Sequence, residues 1–145
     1  MERIIQEKIS ADHLLYVSLK YTKTCDVVLN LIARWRSMIE MSIDRILEVS
    51  KKKKLIKSIP DAPKPKIELM KELYKKNPQI LETIQFYEFF KRIDSAEKMR
   101  ENEFRKNVCL RIMDRGEWVL IDMEKLKEYS LNLEKFISQV KQILA

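Results

Sequence analysis

Residues 10–54 contain neither glycine nor proline, and their apolar side chains return at alternating steps of three and four: Leu14, Tyr21, Cys25, Val28, Ile32, Trp35, Ile39, Ile46 and Val49, with Ser18 and Ser42 at the two remaining positions. At 3.6 residues per turn this spacing gathers on one side of an α-helix. Val17, Leu31, Met38, Ile43 and Leu47 flank the seam and widen it to the stripe of a packed helix. A stripe that wide must be covered by the rest of the chain, by a second copy or by a helical partner. The expected fold is therefore mainly α: an elongated, coiled-coil-like helical bundle on a long N-terminal helix.

Length constrains this element. A helix over residues 10–54 would reach about 65 Å at 1.5 Å per residue, whereas a compact globule of this chain length is about 40 Å across. Either the helix breaks, with Thr22, Lys23 and Thr24 as the place, or the bundle is elongated. The three-four spacing passes through that cluster without a slip, which favours the elongated bundle. Ser10 is the candidate N-cap, with residues 1–9 as a lead-in or an earlier turn, and Lys51 to Lys54 suit the negative pole at the other end.

Pro60, Pro63 and Pro65 stop the helix, so residues 58–66 read as a linker. Short helices follow over residues 67–105. Ile67, Met70, Leu73 and Tyr74 form one apolar side, and Asn77-Pro78 is a cap followed by a proline at the first helical position. Ile80, Leu81, Ile84, Tyr87 and Phe90 form the next side, and a more polar helix is expected from Ala96 to about Arg105. The single glycine, Gly116, fits a three-residue hairpin loop Asp114-Arg115-Gly116 over residues 107–122. That register puts Ile112 opposite Trp118 and Leu110 opposite Leu120. Asp122 then caps a last helix, residues 123–144, with Leu126, Tyr129, Leu133, Phe136, Ile137 and Val140 on one face. A chain of 145 residues suits one helical domain over 1–145.

Most catalytic chemistry lacks its parts. One glycine excludes the loops that cradle phosphates, and one histidine, His13, excludes a two-histidine zinc site. No base is placed beside a serine or cysteine, so the chain reads as more a binding protein than an enzyme, with no cofactor or metal expected. Cys25 and Cys109 both sit at apolar-patterned positions and read as buried free thiols. Asp44 and Glu48, one turn apart, are the weak candidate for a hard cation. No apolar run reaches the roughly 18–20 residues that cross a bilayer, and the N-terminus lacks a signal-peptide pattern, so a cytoplasmic protein without membrane insertion is expected.

Charge supplies the strongest functional signal. Of the net +7, +6 falls within residues 51–66, where Lys51, Lys52, Lys53, Lys54, Lys57, Lys64 and Lys66 face only Asp61. Such a cluster attracts phosphates by counterion release, without sequence preference. Arg100 and Arg105 extend the candidate set. Short helices followed by a hairpin resemble a winged helix-turn-helix, which implies a DNA-reading helix just before the hairpin. Two readings result. The leading one is a non-enzymatic interaction or assembly module, a homodimer or a helical protein's partner, using the seam Val28, Ile32, Trp35, Ile39 and Ile46. The alternative is a basic protein associated with RNA or DNA through the lysine segment.

Overall fold

The computed structural model describes all 145 residues. The fold is mainly helical, with a small antiparallel sheet before the C-terminal helix. Helix α1 covers residues 2–21 as Glu2–His13, a π-helical turn Leu14–Ser18 and a final turn Leu19–Tyr21; α2 is Cys25–Lys52, α3 Pro63–Leu73, α4 Pro78–Ile93 and α5 Met123–Leu144. Strands β1 (Lys98–Glu101), β2 (Cys109–Asp114) and β3 (Glu117–Ile121) lie between α4 and α5 in the order β1-β2-β3.

The expected helix over residues 10–54 is two helices. Thr22 (φ −131, ψ 88) and Thr24 (φ −120, ψ 155) leave the helical region. The Thr24 hydroxyl accepts a hydrogen bond from Val27 N–H at 3.4 Å and caps α2. Ser10, the expected cap, lies inside α1. Residues 2–21 fold back antiparallel along α2, with Glu7 reaching Arg34 and residues 1–4 lying beside Met41 to Glu48. The unbroken spacing across the junction was a coincidence of phase. The buried side of α1 is Ile4, Ala11, Leu15 and Leu19, one residue off the expected Leu14 and Ser18, while Tyr21 stands in water.

Helix α2 ends in a Schellman motif built from lysine. Leu55 N–H donates to Ser50 C=O at 2.9 Å and Lys54 N–H to Lys51 C=O at 3.0 Å, with Lys54 at φ +62 where glycine is usual. The connection to α3 ends earlier than the expected linker, because Pro63 and Pro65 fall in the first turn of α3. N–H groups there have no partner within the helix, so proline removes nothing. Asn77 and Asp122 cap α4 and α5 as expected, accepting from Ile80 N–H at 3.2 Å and Lys125 N–H at 2.8 Å.

No helix spans Ala96 to Arg105. Residues 98–101 pair with β2 instead, Lys98 opposite Ile112 and Arg100 opposite Leu110, so no helix stands before the hairpin to read a DNA groove. The hairpin loop is two residues, not three. Asp114 pairs with Glu117, Ile112 with Val119 and Leu110 with Ile121. Arg115 (φ +51) and Gly116 (φ +86) both take positive φ, the type I′ geometry whose twist matches the strands. This one-residue shift exchanges the faces. Ile121 is fully buried beside Leu110 and Ile112, while Leu120 is 47% exposed and Trp118 half-buried on the outer face.

One contiguous core joins all five helices to β2 and β3. At its centre Trp35 stacks on Phe90 (centroids 6.0 Å), and Tyr129 meets Trp35 and Phe90 edge-on at 6.1 and 5.3 Å. Such pairs contribute about 0.5–1.5 kcal/mol each beyond the area they bury.

Candidate nucleic-acid interface

Lys51, Lys52, Lys53 and Lys54 form the exposed last turn and cap of α2, and Lys57 and Lys64 are exposed on the connection and the first turn of α3. The aligned dipoles of a 28-residue helix place negative partial charge at this end, which explains why four lysines are stable side by side. Nothing else neutralises them. None of these six lysines forms an ion pair, whereas Lys66 is taken up by Asp44 at 2.8 Å. Lys75 and Lys76, beyond α3, are also exposed, and Lys75 is paired with Glu72 at 3.3 Å.

Arg100 and Arg105 are not part of this surface. Arg100 sits beside the start of α2, bonded to Asp26 at 2.8 Å and 3.6 Å from Glu103. Arg105 lies in the loop after β1, exposed and without an ion pair. The lysine run is at the opposite pole of α2, about 40 Å away by helix rise. The seam residues Val28, Ile32, Trp35, Ile39 and Ile46 are all buried within this chain. Helix α1 and the other helices cover them, so the motive for placing a second copy there, a stripe too long to cover, falls away.

The remaining chemical candidates are quiet. Asp44 and Glu48 are occupied by Lys66 and Arg45. His13 is exposed on α1. Cys25 Sγ–H points to the Cys109 carbonyl at 3.4 Å. Burial pushes the Cys25 thiol up to about 11, with the Glu103 carboxylate adding to it, and burial likewise raises Cys109. Both thiols are therefore protonated and unreactive at neutral pH.

A second group of residues went unread in the sequence. Tyr21 and Phe104, 78% and 74% exposed, stand at the pole of α2 opposite the lysines, with Lys20 and Lys23 close to Tyr21 in sequence and Arg105 and Lys106 next to Phe104. Phe104 had a signal: it is an aromatic residue in a polar stretch with no periodicity to bury it. Tyr21 had none, because it falls on the apparent seam.

The fold is a helical bundle with a three-stranded antiparallel sheet before its C-terminal helix, and exposed basic residues stand at both ends of α2. No protein-family model, curated protein or solved structure matches this chain.

Proposed function

We propose that this protein is a non-enzymatic binding module that holds nucleic acid by its phosphates, through Lys51, Lys52, Lys53, Lys54, Lys57 and Lys64. The observation that carries this reading is that Lys51, Lys52, Lys53 and Lys54 are exposed together at the end of α2, followed by an exposed Lys57, with no carboxylate paired to them; Lys64, at the start of α3 near Glu68 and Lys91, is also exposed and unpaired. Each phosphate they neutralise releases condensed counterions, so binding gains entropy and falls steeply with salt. The test is fluorescence anisotropy with mixed-sequence RNA and DNA over a salt series. Replacing Lys51 to Lys54 by Ala lowers the log–log salt slope by about three. Binding that ignores salt, or that survives the four replacements intact, removes the reading.

An assembly reading is favoured by a different surface from the seam. On the outer face of the sheet, Met99 and Leu120 are exposed in register on either side of Arg111, with Met113 and Trp118 half-buried beside them. A second copy of the chain is the occupant this reading names. Ultracentrifugation showing a dimer that Leu120→Lys dissociates supports it, and a monomer at high concentration removes it.

A further inference from the structure

Phe104 is in water without being loose. Its N–H donates to the Lys23 carbonyl at 2.6 Å, Glu103 Oε1 accepts from Cys25 N–H at 3.1 Å, and Arg100 reaches Asp26 at 2.8 Å. Three ties, one from β1 itself and two from the loop after it, hold this segment against the junction of α1 and α2. Within it Asn102 (φ +54) and Phe104 (φ +66) take left-handed conformations. Asparagine does so readily, but for a phenylalanine the conformation costs on the order of 1 kcal/mol. The ring recovers nothing by burial, since it is 74% exposed. Folding alone gives no reason for a phenylalanine at a position that glycine or asparagine would fill at lower cost.

Tyr21 closes α1 two residues before the carbonyl that holds Phe104, and its ring is 78% exposed. Lys20 Nζ lies 5.8 Å from the centre of that ring. Lys20, Arg105 and Lys106 are exposed without an ion pair, while Lys23 Nζ turns back onto the Lys20 carbonyl at 2.5 Å. The nearby carboxylates are occupied, Asp26 by Arg100 and Glu103 by Cys25 N–H and Arg100. Two exposed aromatic rings on neighbouring, pinned segments, with unpaired cations next to each in sequence, match a ligand that is both planar and anionic.

We propose that Tyr21 and Phe104 form a stacking platform for the unpaired bases of single-stranded nucleic acid, with Lys20, Arg105 and Lys106 holding the flanking phosphates. Bases within a duplex already stack on each other, so the platform selects single strands, which the lysine pole of α2 does not. It goes beyond the phosphate reading and rests on different residues.

The test uses the full chain and anisotropy with a labelled oligothymidine, a duplex of equal charge and inorganic polyphosphate. Tyr21→Ala and Phe104→Ala each weaken single-strand binding about tenfold, and leave duplex affinity and the salt slope unchanged. Tyr21→Phe and Phe104→Tyr retain binding. Phe104→Gly relieves the backbone, so it folds with an equal or higher Tm and still loses the single strand. The proposal is overturned if the alanine variants bind oligothymidine like the parent, or lose all three ligands equally. It is also overturned if an acidic peptide displaces the strand as well as oligothymidine does. The four-lysine variant alters the slope for single strand and duplex alike, so the two readings fail separately.

Discussion

Arg92, at the end of α4, and Asp114, at the end of β2, meet in a two-point pair: Nε to Oδ1 at 2.7 Å and Nη2 to Oδ2 at 3.2 Å. The Asp114 side chain is 8% exposed and that of Arg92 36%, so the pair clamps the hairpin to the bundle at the edge of solvent. The hydrogen bond from Arg92 holds the Asp114 carboxyl below its ordinary value.

Asp114→Asn therefore costs about 1–2 kcal/mol, the lower part of the range for a charged hydrogen bond because Arg92 is still screened by water. A carboxyl whose folded value is depressed stabilises the fold at every pH above its unfolded value, about 4. That contribution disappears as pH falls from there through the folded value. Urea titrations at pH 6 and pH 3 check this: the gap between parent and Asp114→Asn closes on acidification.

The caps predict an order of effects. Asp122 accepts at 2.8 Å and carries charge at the positive end of α5, while Thr24 accepts at 3.4 Å and is neutral. Asp122→Ala lowers stability by about 1 kcal/mol and Thr24→Ala by less. Chemical denaturation of the two variants side by side decides it, and a larger loss at Thr24 contradicts the geometric argument.

Two left-handed residues offer stabilising changes. Arg115→Asn turns the hairpin loop into Asn-Gly, the preferred type I′ pair, and Lys54→Gly gives the Schellman motif its usual residue. Each raises Tm, by about 0.5–1 kcal/mol of stability. Gly116→Ala moves the other way by about 1 kcal/mol. Its new Cβ would meet nothing within 4 Å, so the loss is purely a matter of backbone conformation at φ +86.

The thiols supply a prediction about alkaline pH. Cys25 is held up to about 11 by burial, against roughly 8.5 for an unfolded thiol. A group raised in the folded state stabilises fully below the unfolded value and ceases to do so as pH climbs to the folded one. Stability therefore declines between about pH 8.5 and 11. In native protein at pH 8 a thiol reagent labels Cys25 and Cys109 slowly, and denaturant accelerates the labelling.

What could be read in advance follows the range of the interactions concerned. Asn77 and Asp122 each satisfy an N–H three residues away, and the α5 stripe needs only its own period, so all were legible. The three-four rule reports a period and cannot show where Thr24 ends one helix and caps another. Asp114-Arg115-Gly116 and Arg115-Gly116 both give glycine a positive φ, and the choice turned on Arg115 adopting one too. Lys98 to Glu101, a polar stretch with no alternation, became a strand only because β2 was there to pair with it. The lysine cluster is contiguous and was visible, whereas the loss of Arg100 to Asp26 and the approach of Phe104 to Lys23 are contacts between distant parts of the chain.

Those distant ties differ from the local ones in the length of loop each must close. Helices α1 and α2 are neighbours in sequence and close on each other across three residues, a local step with little loop entropy to overcome. The links that fasten the loop of Phe104 to the start of α2 join residues 74 to 84 positions apart. Each closes a long loop, so the aromatic pole owes its geometry to β1 and β2 being docked on the bundle and not to the short α1–α2 junction alone.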